Sequence, residues 1–407
     1  MTNDIKDHID PGLIHEFDIY DDPDFARSGH WGYQELIRKA PGDVFYTPCN
    51  GGHWVVTRYD LQKAVLQDIQ HFSSRELHIP PLNSPNRMIP INLDPPEHTQ
   101  YRTLLMPHFD RKSIARMEPR VRYWANHLID QVIDDGAVDF AETFGPSFPV
   151  AIFMELMGIP FDNFRKFREL ATTYVRNIPN EQRLEIEREI IDAMWSLAQG
   201  KMKEPADDLI TTLVFAETRG RKLTESEIKS MMFNLFLAGL DTVANAISFA
   251  FNQLGSDPGL QDRLVREPAR IADFVEEALR CFGVSSVSRY VKQEQQVGGV
   301  TFRVGDMVMC PTSSAGHDDR ANPDPGNFDI DRQGRNFMTF SAGPHICIGN
   351  LLARSEIRIF TEEWLKRIPR FSIEPGIDPG FRSAPHLTMT HLPLRWNTLS
   401  SSPLPES

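Results

Sequence analysis

The stretch from Phe340 to Gly349 reads Phe-Ser-Ala-Gly-Pro-His-Ile-Cys-Ile-Gly and commits the chain to holding a cysteine in a tight loop. Downstream, Asn350 to Leu365 reads as a helix. Ala353, Ile357, Phe360 and Trp364 recur there at spacings of four, three and four, as one buried helical face does. Cys347 therefore precedes a helix N-terminus. Unpaired N–H groups and the positive end of the macrodipole there favour a thiolate over a thiol. Gly343 and Gly349 let the backbone come close to something flat, and such a loop can hold a thiolate against a metal. A lone cysteine is ordinarily a small buried hydrophobe, so the loop by itself leaves both readings open.

Composition narrows what the rest of the chain can be. The 407 residues are 41% hydrophobic and 24% charged, which is enough apolar material for a large core. The net charge of −13 argues against nucleic acid or an anionic membrane as partner. The start, Met-Thr-Asn-Asp-Ile-Lys-Asp-His, lacks a basic run followed by an apolar one, and no apolar stretch reads as long enough to span a bilayer; Met231 to Leu240 comes closest. Cys49, Cys281, Cys310 and Cys347 are scattered with no Cys-x-x-Cys, as in a reducing compartment. The expectation is a cytoplasmic protein.

Along the chain, an irregular segment (1–23) is followed by a helix predicted over Asp24 to Lys39. Val44–Tyr46 and Trp54–Thr57 flank Cys-Asn-Gly-Gly, a hairpin signal. Arg75 to Pro96 holds six prolines and little periodicity, so it reads as a long binding loop. Asp94-Pro-Pro-Glu97 reads as a capped helix start. Helical patterns fill 113–134, 147–158, 161–176, 181–202 and 206–218. Thr224-Glu-Ser-Glu227 is a capping box opening a helix carried to Leu254 with Gly255 as terminator, and about thirty such residues span roughly 45 Å. Gly239, Asp241 and Thr242 interrupt its apolar surface. A buried acid there is costly unless bonded or used, although Thr242 could simply bond back one turn. Glu277-x-x-Arg280 sits on a helix from Arg270 to Phe282 and could be an ordinary surface pair. Short strands surround Arg289, and the last forty residues read as a small sheet with a soluble tail.

Phe340-x-x-Gly343-x-His345-x-Cys347-x-Gly349 resembles the haem-binding loop of the cytochromes P-450. Glu277-x-x-Arg280 upstream, Ala238-Gly239-Leu240-Asp241-Thr242 in the long helix and Asp94-Pro-Pro-Glu-His98 with Arg102 are similar to further motifs of that family. The resemblance runs over nearly the whole chain. Cys49-Asn-Gly-Gly-His-Trp54, His71-Phe-Ser-Ser74 and Trp364-Leu-x-Arg-Ile-Pro-x-Phe-Ser-Ile373 look like its bacterial, camphor-hydroxylating branch. The resemblance implies a mainly α fold: a helical prism with small β regions, and haem between the long central helix and the cysteine loop. It also implies one unit over 24–397, flanked by the 1–23 segment and a 398–407 tail.

Carried over by position, the resemblance makes Cys347 the axial thiolate of a b-type haem, whose electron donation favours O–O cleavage. It puts His98, Arg102, Arg289 and His345 on the propionates, and Gly239, Phe340, Gly343 and Gly349 against the cofactor. Asp241 and Thr242 become the proton-delivering pair, and Glu277 and Arg280 a buried structural pair. The implied activity is monooxygenation with O2. Electrons would come from a [2Fe–2S] ferredoxin and an NADH-dependent flavoprotein reductase, and the ferredoxin would dock on Lys112, Arg102 and Arg335. Leu77, His78, Leu82, Asn86, Met88, Leu235, Ala238, Ser285 and Val287 would line the substrate pocket. From Arg75 to Gln100 the chain has no Tyr and no Phe, whereas the camphor branch holds its substrate ketone with a tyrosine there. The implied substrate is thus a cyclic terpenoid or an ionone-like norisoprenoid rather than camphor. Camphor or another monoterpene is the alternative, and a haem-thiolate isomerase, dehydratase or ligand sensor is the alternative of a different class.

Overall fold

The structure, a computed structural model, describes residues 8–81, 87–174, 178–383 and 385–398. Its axis is the helix Glu225–Ser256, 32 residues long. The capping box forms as expected: Thr224 Oγ1 accepts from the Glu227 N–H, and the Glu227 carboxylate accepts from the Thr224 N–H at 2.7 Å. Gly255 does not end it. A Cβ at that position would meet Leu394 at 3.1 Å and Ile373 at 3.3 Å, so the glycine serves close packing on the C-terminal strands. Asp257 stops the helix and caps the next one, Pro258–Arg266, by accepting from the Leu260 N–H.

By length and composition this helix is apolar enough to cross a membrane, contrary to the expectation that no stretch is. Its apolar surface goes instead into the core. Met231, Met232, Phe236, Ala250, Phe251 and Leu254 have no exposed surface, and the helix packs on Phe148–Met157, Asn180–Lys203, Ile271–Cys281 and Asn350–Arg367. In that last helix Ala353, Ile357, Phe360 and Trp364 are all buried, as their spacing requires.

Two predicted helix starts differ. The segment 24–39 is broken into Pro23–Ser28 and Gly32–Lys39 by a 3-10 turn, because Gly29 takes φ 55°. Asp94 does not cap its helix. Its carboxylate accepts from the Ser74 N–H at 2.9 Å and pairs with Lys292, while Pro96 holds the cap position of Glu97–Leu105.

The largest sheet has the strand order Val44–Thr47, His53–Val56, Met307–Pro311, Ser286–Val291, Phe72–Ser73. The predicted hairpin is its first pair, and Arg289 sits mid-strand opposite Val308. The C-terminal strands Ser372–Ile373 and Pro393–Arg395 take a third partner, Ala137–Asp139, which the sequence pattern did not reveal.

A buried carboxylate fixes the approach to the cysteine loop. Glu277 and Arg280 have side chains with 0% exposure and bond through both oxygens, at 2.7 and 3.0 Å, so they are not a surface pair. Arg332 and Arg335 each add a bond at 3.1 Å, and the Asp329 N–H another at 3.0 Å. Arg280 also donates to the Gly316 carbonyl at 2.7 Å. One helix is thereby stitched to residues 316–335, the meander that feeds the loop. Burial pulls the Glu277 carboxyl upward, but Arg280, the Asp329 N–H and Arg332 hold it below its ordinary pKa. Removing one partner of such a buried group typically costs about 3–5 kcal/mol. Glu277→Gln is therefore expected to lower the unfolding free energy by about that amount in denaturant titration, whereas Arg263→Gln, at a solvent-screened pair with Asp331, should leave it nearly unchanged.

Candidate active site

The loop that holds Cys347 is shaped by its own backbone. The Cys347 N–H donates to the Phe340 carbonyl at 2.8 Å, and Asn350 Nδ2 donates to the Cys347 carbonyl at 2.7 Å. Ser341 and Gly343 both take positive φ, 62° and 71°. A Cβ on Gly343 would lie 2.7 Å from the Leu66 carbonyl, so this glycine lets the loop press on the helix Tyr59–Gln67, not on a ligand. Gly349 is the glycine beside the sulfur: a Cβ there would stand 3.9 Å from Sγ. Phe340 carries the Arg354 guanidinium 4.6 Å over its ring.

Of the four free cysteines, Cys347 alone is exposed. Cys281 and Cys310 are buried and their thiols are pushed up to about 12, first by burial. Cys347 has open surface but lies in a walled setting, where lost hydration raises its pKa; the Gly349 N–H, Arg102 and Arg354 pull the other way without winning. The expectation that the helix terminus alone favours the thiolate is thereby corrected. The sulfur needs a further positive partner to ionise.

The surrounding nitrogen groups have an unmet need of their own. His98 and Arg289 are 2% and 3% exposed, and the His98 and His345 rings lie 4.1 Å apart. Burial, then Arg289 and His98, pulls His345 down to about 3; burial, then Arg102, pulls His98 to about 4. Arg289 donates one nitrogen to the Ser288 carbonyl at 2.8 Å, and Arg102 donates to the Ile346 carbonyl at 2.5 Å. His98 Nδ1, His345 Nε2 and Arg289 Nη2 are buried with no partner among the described residues. Orphaned donors of this kind are costly unless an anion meets them. A flat ligand with two carboxylates and a cationic metal supplies what both sets lack, so the residues present fit haem.

In the middle of the central helix Ala238 is exposed, and Gly239, Asp241 and Thr242 are half-buried. Thr242 Oγ1 donates to the Ala238 carbonyl at 3.0 Å, the local bond foreseen as the plainer reading, which leaves its lone pairs to accept. Asp241 is not fully buried: its side chain is 19% exposed and stands 3.6 Å from His386 Nδ1. Asn245 Nδ2 donates to Asp241 Oδ1 at 3.1 Å, while Asn245 Oδ1 accepts the Met389 N–H at 3.0 Å. Asn245 follows Asp241 by four residues and was within reach of helical spacing. His386 carried no local signal. A Cβ on Gly239 would point at Phe153, 3.4 Å away, so only its backbone is available to a cofactor.

Among the pocket residues, Leu235 is 6% exposed and Met88 packs on the core. The loop that carries Met88 is tied to the central helix: the Ile89 N–H donates to Ser230 Oγ at 2.9 Å, and the Ser230 hydroxyl donates to the Arg87 carbonyl. His78 has open surface but is hemmed in, and lost hydration, His386 and Arg183 bring it to about 4. Leu77, Ser285 and Val287 are half-buried, and Ser285 bridges to His386, which joins Ser285 to the same cluster. Leu82 and Asn86 lie outside the described residues. Of the docking residues, Lys112 is exposed, but Arg335 is not available because it is bound to Glu277 with its side chain 15% exposed.

The family model described as Cytochrome P450 matches residues 149–393. The chain is 32% identical, over 97% of each sequence, to the probable cytochrome P450 127A1 of Sinorhizobium fredii. It is 29% identical to the mycinamicin IV hydroxylase/epoxidase of Micromonospora griseorubida, over 83% of this chain and 87% of that one. Among solved structures, CYP101J2 superposes with a TM-score of 0.90 at 32% identity (97% of this chain, 99% of that one), and cytochrome P450 CYP101C1 with 0.91 at 28% (97% and 100%).

Cys347→Ser is expected to abolish the thiolate-specific absorption band of the reduced carbon monoxide complex. Cys49→Ser, Cys281→Ser and Cys310→Ser should retain it. A band that survives the change at 347 overturns the assignment of the ligand.

Proposed function

The chain belongs to the cytochrome P450 family, and from that premise we propose a ferredoxin-driven hydroxylase of a small cyclic terpenoid or norisoprenoid, of the bacterial camphor-hydroxylase branch. Enzymes of this family are monooxygenases that use a cysteine-ligated haem, O2, a substrate and redox partners. The observation that carries the proposal is Cys347 in its loop together with the buried nitrogens of His98, Arg289 and His345, which have no partner among the described residues.

When bound, the haem supplies activation of dioxygen at its thiolate-ligated iron. Cys347 is the proposed ligand, and His98, Arg102, Arg289 and His345 would hold the propionates by charge-assisted bonds. Gly349 keeps the space beside Sγ free of a side chain. Asp241 passes a proton toward Thr242, whose lone pairs accept and orient it, because a walled site cannot draw protons from bulk without such groups.

Leu235, Met88 and Ala238 give the pocket an apolar wall, and His78, Ser285 and Val287 edge it. The camphor branch's tyrosine is missing, so a buried ketone in that position would go unmet at a cost of roughly 1–3 kcal/mol, about tenfold to a hundredfold in affinity. His78 offers a donor elsewhere, which suits a ketone held further from the ring.

The electron donor we propose is a [2Fe–2S] ferredoxin fed by an NADH-dependent flavoprotein reductase in the cytoplasm. Arg111, Arg354 and Arg358 line a groove of about 270 Å³ beside the loop helix, and exposed Lys112 adjoins Arg111. Arg354 and Arg358 are partly balanced by Glu276 and Glu118, leaving Arg111 and Lys112 as the cations offered to an acidic partner.

Spectral titration of the ferric protein, followed by NADH-driven turnover with ferredoxin and reductase, tests the whole reading. The expected result is a clear low-to-high-spin shift with β-ionone, a weak one with camphor, and turnover that falls as ionic strength rises. A larger shift with camphor at lower concentration refutes the substrate. Full activity without added protein partners refutes the donor.

A further inference from the structure

His386 lies outside every motif that led to the site, yet it touches the acid on which proton supply rests. Its Nδ1 stands 3.6 Å from Asp241 Oδ2, just beyond a direct hydrogen bond, and its side chain is 46% exposed while Asp241 is 19% exposed. The imidazole is thus the wetter of two adjoining groups.

Both partners are held. The Ser286 N–H donates to the Pro385 carbonyl at 2.7 Å and the Leu387 N–H to the Val284 carbonyl at 3.0 Å, so backbone bonds on either side fix the segment of His386 to Val284–Ser286. Asn245 fixes the other side. It bonds Asp241 Oδ1 with its amide nitrogen and the Met389 N–H with its oxygen, which joins the central helix to the strand Thr388–His391. That bracket occupies Oδ1 and leaves Oδ2 turned toward His386. Among the described residues, the charged and titratable groups around the imidazole are Asp241 on the central helix, His78 on the loop ahead of it in the chain, and, beyond His78, Arg183 on the helix Asn180–Lys203.

We propose that His386 supplies protons to Asp241 from solvent. Once the 3.6 Å separation closes to a hydrogen bond, a charged imidazolium gives its Nδ1 proton to Asp241 Oδ2: the N–H bond breaks, an O–H bond forms, and the neutral ring takes a replacement proton from water. Asp241 then hands the proton on toward Thr242, next to it in the chain. An imidazole has two ring nitrogens, so it can give a proton from one and take one back at the other, which a lysine or arginine side chain cannot. His386 acts only through Asp241, so the inference rests on the proton-delivery role proposed above for Asp241 and Thr242.

The test compares His386→Gln, His386→Ala and Asp241→Asn in the haem-loaded enzyme, with ferredoxin and reductase saturating. His386→Gln keeps a polar amide but cannot carry a proton. It is expected to slow O2-dependent turnover about tenfold at pH 7, to flatten the rate's pH dependence between 5 and 8, and to leave the substrate-induced spin shift unchanged. His386→Ala should regain rate on addition of free imidazole, which a packing role would not allow. Slow Asp241→Asn beside a wild-type-like His386→Gln overturns the role of His386 while leaving that of Asp241 intact. Asp241→Asn at full rate removes the reading on which the inference stands. A slow His386→Gln with an unaltered pH profile, or no imidazole rescue, overturns proton transfer in favour of packing.

Discussion

Buried nitrogens without a partner are the constraint on which the site depends. Among the described residues His98 Nδ1, His345 Nε2 and Arg289 Nη2 are buried with none, and Arg102 donates to a backbone carbonyl. Each would be unfavourable in a protein that stopped at its own atoms. The Cys347 thiol, raised by burial beside two arginines that do not rescue it, has the complementary defect. Haem would meet both needs: its metal would stabilise the thiolate and its carboxylates would accept from these nitrogens. This pattern of unmet groups links burial of the cluster to the ligand proposed for it.

Placing that pattern is the task of the Glu277 hub and the glycines. Three guanidiniums on one carboxylate join the helix Ile271–Cys281 to the residues that run into Phe340. From there Ser341 and Gly343 turn the loop onto Leu66, and the helix Asn350–Arg367 is anchored by Phe360 and Trp364, both without exposed surface. Cys347 is thus held from both sides by structure that is itself buried. In the middle of the central helix Ala238 is exposed and Gly239, Asp241 and Thr242 are half-buried, so small and polar residues stand where the neighbouring turns bury Met231, Met232, Phe236 and Val243.

Much of this was legible in the sequence, for identifiable reasons. The capping box at Thr224, the face of Ala353, Ile357, Phe360 and Trp364, and the hairpin around Asn50 are local signals, and they appear where local physics puts them. The cysteine loop was readable because its residues are close in sequence. What failed was what distant neighbours decide. Gly255 reads as a terminator but answers to Leu394 and Ile373; Gly343 reads as a ligand contact but answers to Leu66. Asp94 reads as a cap but its carboxylate is taken by Ser74, from the far end of the proline-rich loop. Arg335 reads as a surface cation because nothing nearby in sequence points to Glu277. His386 is 145 positions from Asp241 by their numbers, 386 and 241, and no pattern could join them.

The most direct test of the central claim is the affinity of the haem-free protein for haem against haem dimethyl ester, in which both carboxylates are capped. Each charge-assisted bond lost is worth roughly 1.5–3 kcal/mol, so the account predicts that the ester binds at least about a hundredfold more weakly. Equal affinity for the two would contradict it, because His98, Arg102, Arg289 and His345 would then be buried for a reason other than the propionates.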